Sequence, residues 1–148
     1  MSAALEDALS AVRTRGLRLS AARRLVLQAL AVADGPMSAE QISAGVGGRV
    51  PRSDLASVYR NLDVLQRAGI VSHVHLGHGP GLWTLNAGSP RAYLACERCG
   101  DYRAVPLAEL QAVRAYIRRT FGYDASFEHF PVVGLCAVCA EATPLSQA

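Results

Sequence analysis

All four cysteines of this 148-residue chain fall in two pairs, Cys96-x-x-Cys99 and Cys136-x-x-Cys139. Thiolates hold zinc at about 2.3 Å, and a CxxC knuckle offers two of them to one ion with little backbone strain. Two such pairs far apart in sequence predict one tetrahedral, all-thiolate zinc site, a closed kind that serves folding rather than catalysis. Two disulfides or four core thiols are the competing readings. Disulfides belong to oxidising compartments, whereas Met1 to Arg15 is charged and helix-like without a long apolar run, so a cytoplasmic location is expected. The gap between the pairs exceeds that of a compact zinc ribbon, so the ion is expected to staple a carboxy-terminal segment onto a domain.

The four histidines occupy two places: His73, His75 and His78 in one run, and His129 ahead of the third cysteine. On a strand, His73 and His75 point to one face, with Val74 and Leu76 on the other. A third imidazole, His129, brought over from the second half makes a three-nitrogen set suited to nickel, zinc, copper or iron. Three ligands leave positions for water, a small anion or another side chain. The plainer alternatives are solvated histidines, phosphate contacts, and a hydrogen-bonded His129 at a sheet edge. His78, at a turn tip, is left out of the set.

These groups need elements to position them. The chain is 51% hydrophobic and 18% charged, ordinary for a folded soluble protein, no apolar run reaches the roughly 20 residues that span a bilayer, and the order of elements below gives an α+β fold. Net charge is only +3 and all 15 basic residues are arginine, with a cluster of them in the first half. Helices are expected over 2–15, from the Ser20 cap to about Ala33, from a Ser38/Gln41 capping box to Gly45, and from a Ser53 cap to about Ala68. Leu55, Val58, Leu62 and Leu65 form the core stripe of the last of these. Ile70–Leu76 and Gly81–Leu85 read as a hairpin around Gly77-His78-Gly79-Pro80. Helices followed by a two-stranded wing give the winged helix-turn-helix order, with the last helix reading DNA. The expected division is a winged-helix domain at 1–86, a hinge at 87–90, and a small α/β dimerisation and metal-binding domain at 91–148. That second domain reads strand, knuckle, strand, helix (Leu107–Phe121), strand (about Ser126–Val133), knuckle. A small mixed sheet under one helix is too small to stand alone, and zinc and dimerisation are its remedies.

From about Leu5 to Cys139 the sequence resembles the ferric-uptake-regulator (Fur) superfamily of bacterial metal-responsive repressors. The resemblance rests on Arg15-Gly-Leu-Arg-Leu-Ser-Ala-Ala-Arg23, Ser57-Val-Tyr-Arg-Asn-Leu62, Ala68-Gly-Ile-Val71, Leu94-Ala-Cys96-Glu-Arg-Cys99-Gly, Phe121-Gly122 and Gly134-Leu-Cys136-Ala-Val-Cys139. It implies a homodimeric repressor that binds an inverted-repeat operator in double-stranded DNA, is not an enzyme, and is controlled by a metal between its two domains. Ser57, Tyr59 and Arg60 would lie near bases and phosphates in the major groove. Arg18 sits where the family places a basic residue in an A·T-rich minor groove. Arg67 is assigned to a solvated helix face.

The chain departs from the family pattern where regulatory metal normally binds. The usual His-rich run before the first CxxC is replaced by Ser89-Pro90-Arg91-Ala92-Tyr93, and Pro36 and Thr84 stand where further ligands are usual. His73 and His75 with Glu128-His129-Phe130 instead resemble the nickel-sensing Nur branch, in which two wing histidines and a later one form a nickel site. The resemblance thus implies structural Zn2+ at the four cysteines and regulatory Ni2+, or another divalent transition metal, at His73, His75 and His129. A regulator of this fold answering zinc, iron or a redox signal, or one without metal control, is the alternative. An enzyme of Cys/His chemistry is the least supported class, since the thiols are committed and there is no Gly-rich phosphate loop or H-E-x-x-H helix.

Overall fold

The computed structural model describes residues 2–86 and 91–142, so the expected hinge at 87–90 lies outside the described residues. Their contacts form two units. The first runs up to Val74 and resumes at Pro80, while His75–Gly79, at the hairpin tip, groups with the carboxy-terminal part.

In the first unit, α1 (Ala3–Thr14), α2 (Ala21–Val32), α3 (Ala39–Ala44) and α4 (Leu55–Arg67) precede a hairpin of β1 (Val71–Val74) and β2 (Leu82–Leu85). Local chemistry sets the helix starts. Ser20 accepts from the Arg23 N–H at 3.2 Å, and Ser38 and Gln41 close a complete capping box. Helix α4 departs from expectation, because Asp54 rather than Ser53 is its N-cap, accepting the Ser57 N–H at 2.8 Å. A carboxylate suits the positive end of the helix better than a hydroxyl, and Ser53 is occupied with Ser43 instead. Gly69, at φ +69°, takes the left-handed position that ends α4. Val58, Leu62 and Leu65 of α4 pack with Leu9, Val12, Val26, Leu27 and Ile42 in one core. Leu55, expected in that stripe, is exposed in the first turn. Pairing in the hairpin sets Val71 opposite Leu85 and His73 opposite Trp83.

The second unit holds β3 (Arg91–Cys96), β4 (Tyr102–Pro106), a 3-10 turn (Leu107–Leu110), α5 (Gln111–Phe121), β5 (Val132–Gly134) and α6 (Ala137–Glu141). Its sheet runs β4-β3-β5, antiparallel then parallel. Strand β5 is shorter than the expected Ser126–Val133 because Pro131, which has no N–H to give, precedes it. The core is small: Ala92, Val105 and Leu107, backed by Leu110 and Phe127. The helix expected to cover the sheet buries none of its residues in this chain, leaving Val113, Tyr116 and Phe121 exposed. No helix among the described residues is long and apolar enough to cross a membrane.

Candidate metal and nucleic-acid sites

Parallel pairing of β3 and β5 puts Cys96 opposite Gly134, two residues before Cys136, and so brings the two knuckles together. Gly100, at φ +75°, turns the first knuckle and donates to the Cys96 carbonyl at 3.0 Å. Cys136 caps α6, and Cys139 lies inside it. From the first knuckle, Arg98 Nη1 reaches the Cys139 carbonyl at 3.3 Å. All four Sγ atoms lie within 4.8 Å of one another, and those of Cys99 and Cys136 are 3.9 Å apart. A tetrahedron with arms of about 2.3 Å has edges of about 3.8 Å. A disulfide needs sulfurs about 2.05 Å apart, so this spacing fits a central ion and not paired bridges. The thiols also conflict electrostatically. N–H groups of Cys136 and Cys99 lower Cys96 to about 6, while hydrogen bonding to Cys136 and burial push Cys139 up to about 12. A divalent cation at the centre would let all four ionise. Among the described residues this is the one group of three or more metal-ligating side chains drawn together.

The histidines are placed differently from the sequence expectation. Strand β1 ends at Val74, so His73 is on the strand and His75 is in the turn, and the shared strand face proposed for them does not form. The Gly-rich stretch from Gly77 to Gly81 opens the turn earlier than the apolar pattern suggested. His73 stacks on Trp83 in the first unit, with ring centroids 4.5 Å apart. His75 belongs to the second unit and lies edge-on to His129 at 5.9 Å, with Phe130 stacked on it at 6.0 Å. An imidazole nitrogen sits about 1.1 Å from its ring centre and binds a first-row metal at about 2.0–2.1 Å, so two rings on one ion have centres about 5.2 Å apart at a tetrahedral angle and about 6.4 Å apart when collinear. His75 and His129, at 5.9 Å, lie between those values and need a small approach to share a tetrahedral ion.

On α4, Arg60 is exposed, while Arg67 pairs with Asp63 at 3.0 Å on the solvated face assigned to it. Tyr59 is half exposed, donating its hydroxyl to Glu40 of α3 at 2.9 Å and meeting Trp83 edge-on at 6.0 Å. Glu40 is held below its ordinary value by its backbone N–H and by Tyr59. The Tyr59 phenol is raised by the same bond. Ser57 is half-buried, and its carbonyl accepts from Asn61 Nδ2 at 2.9 Å. Arg18 is exposed and tied through its backbone, its carbonyl accepting from Arg23 Nη1. Sequence reasoning missed the link behind these positions: Arg23 of α2, which also holds the Arg18 carbonyl, donates its Nε to the buried Asn61 Oδ1 of α4 at 3.1 Å. Asn61 just off the apolar stripe of α4 was the available signal. Trp83 was also missed, and its register opposite His73 follows from centring the turn on His78.

Residues 14–129 match the model of the ferric uptake regulator family. The chain is 25% identical over 140 residues to the peroxide operon regulator of Bacillus subtilis strain 168, covering 93% of this chain and 94% of that protein. In fold it is similar to the ferric uptake regulator Fur of Helicobacter pylori, described as having three functional metal binding sites, with a TM-score of 0.70 at 18% identity, covering 92% of this chain and 93% of that one. It is also similar to a zinc uptake regulator complexed with zinc and DNA, with a TM-score of 0.60 at 23% identity, covering 96% of this chain and 98% of that one.

Proposed function

The chain belongs to the ferric uptake regulator family, and on that premise we propose that it is a metal-responsive transcriptional repressor of nickel type. It binds an inverted-repeat operator as a homodimer, because a two-fold protein is matched by a two-fold site. Helix α4 enters the major groove with Ser57, Tyr59 and Arg60, and Arg18 reaches the adjoining minor groove. The exposed Arg18 and Arg60, tied to one frame through Arg23 and Asn61, support this reading. Cys96, Cys99, Cys136 and Cys139 hold structural zinc. A second copy covers the exposed Val113, Tyr116 and Phe121 of the second unit.

His73, His75 and His129 hold the regulatory ion. The observation that carries this assignment is the His75–His129 pair, 5.9 Å apart although distant in sequence. A ligand shifts a conformational equilibrium only through its difference in affinity for the two states. A ligand set that is complete only in the DNA-competent state supplies such a difference. A second reading, a response to peroxide, is favoured by the likeness to the peroxide operon regulator of Bacillus subtilis. Operator binding measured with nickel, zinc and iron, and with iron plus peroxide, separates the two. Stimulation by nickel that peroxide leaves intact supports the nickel reading, and iron-dependent binding abolished by peroxide contradicts it.

A further inference from the structure

Trp83 is the only tryptophan of the chain, and it stands between two side chains with separate proposed tasks. On one side its indole lies against His73, its cross-strand partner, with planes 18° apart. On another, the Tyr59 ring meets it at 79°. Its backbone is pinned by two bonds: the Met37 N–H donates to its carbonyl at 2.9 Å, and its N–H donates to the Met37 carbonyl at 2.7 Å. Met37 adjoins the Ser38 cap of α3, and Glu40 of α3 accepts the Tyr59 hydroxyl. The indole Nε1–H is buried without an acceptor among the described residues, so ring packing rather than a directional bond sets where the indole sits. All of these residues belong to the first unit.

We propose that Trp83 is a positioning residue that couples the metal site to the DNA-reading helix, orienting the His73 imidazole with one contact and the Tyr59 ring with another. This rests on the metal-controlled reading proposed above. An imidazole that binds a cation becomes electron-poor and stacks more strongly on the electron-rich indole face. A tighter stack fixes the indole, and the Tyr59 ring packed against it loses alternative positions. Close-packed rings switch between discrete arrangements rather than deforming smoothly. One element biased from both sides is what energetic coupling requires.

The experiment uses the full-length protein with its structural zinc in place and an A·T-rich inverted-repeat duplex selected by the wild type from a random pool. Added zinc is the probe metal, being closed-shell and free of redox chemistry. In the wild type, zinc should shift Trp83 emission, and His73→Ala should abolish that shift. The ratio of duplex affinities with and without zinc, within the usual range of about 5–150-fold, should fall below about 2-fold in Trp83→Leu and be partly kept in Trp83→Phe. A structural role alone would weaken binding equally in both conditions and leave the ratio intact, which overturns the inference. Should Trp83→Leu fail to fold, Trp83→Phe and the wild-type emission decide: an unmoved ratio, or emission indifferent to saturating zinc, also overturns it. A wild type that binds the duplex equally with and without zinc, nickel or iron sinks the metal-controlled reading and this inference with it. Stimulation undiminished in the Trp83 variants sinks the inference alone.

Discussion

Replacing Cys136 by serine should unfold the second unit while leaving the first intact. The apolar core cluster of the second unit is Ala92, Val105 and Leu107, with Leu110 and Phe127 beside it, and Tyr93 is buried outside that cluster. Full burial of a valine or leucine is worth about 1.5–3 kcal/mol, and ordering each residue costs about 1–2 kcal/mol of backbone entropy. Such a core does not hold a sheet and a helix together unaided. Structural zinc supplies about 10–16 kcal/mol of apparent binding free energy at neutral pH, far more than those side chains. With sulfurs 3.9 Å apart across the Cys99–Cys136 edge, loss of one thiolate opens a corner of the tetrahedron and unties β5 and α6 from the first knuckle. The assay is metal content per chain, thermal unfolding and sedimentation on one preparation. The expected variant has less than one zinc per chain, no cooperative unfolding of the second unit, and no dimer. A variant that keeps one zinc per chain, unfolds as the wild type does and remains dimeric would falsify the reasoning.

Other perturbations read other parts of the structure. Arg60→Ala should weaken operator binding by about 1–3 kcal/mol if the guanidinium grips a base edge, and Arg18→Ala should cost affinity chiefly on A·T-rich flanks. Binding isotherms across a range of salt check both, and two unchanged variants would contradict the proposed docking of α4. Gly81→Ala places a Cβ 2.0 Å from His73 Nε2. The imidazole, at the end of a side chain, should give way, weakening regulatory metal binding with little loss of thermal stability. Glu40 titrates below its ordinary value because its backbone N–H and then the Tyr59 hydroxyl favour the carboxylate. Its contribution is therefore present at neutral pH and lost as pH falls through the folded-state value. An NMR titration should find that value moved upward in Tyr59→Phe, and an unmoved midpoint would dismiss the bond.

Local signals carried most of the first unit. Ser20 and the Ser38/Gln41 box announce helix starts because caps act within three residues, and the stripe of α4 marks its buried side from Val58 onward. The cysteine cluster was legible because thiolate chemistry and CxxC spacing leave few arrangements. Where two neighbours could serve, as with Ser53 and Asp54, the choice depended on the Ser43 contacts that occupy Ser53. Long-range facts were not legible. The parallel pairing of Cys96 with Gly134 and the bond from Arg23 to Asn61 join segments far apart in the chain. The histidine pattern misled because alternation says nothing about where a strand stops. The stop after Val74 left His75 in the turn, within reach of His129. Helix α5 has an apolar pattern that says a face is to be covered, but not that its own chain leaves it open.

The central claim is that metal at His73, His75 and His129 favours the DNA-competent arrangement. Turning a 1:99 equilibrium into 99:1 takes a preference of about 10⁴-fold, or about 5.5 kcal/mol. The direct measurement is a nickel titration of operator binding by the wild type, His73→Ala and His129→Ala, with one structural zinc per chain verified in each. Nickel should tighten binding by the wild type, and each substitution should remove most of that gain while leaving metal-free binding unchanged. Nickel-stimulated binding that survives both substitutions would contradict the site, and equally tight binding by protein without regulatory metal would contradict metal control itself.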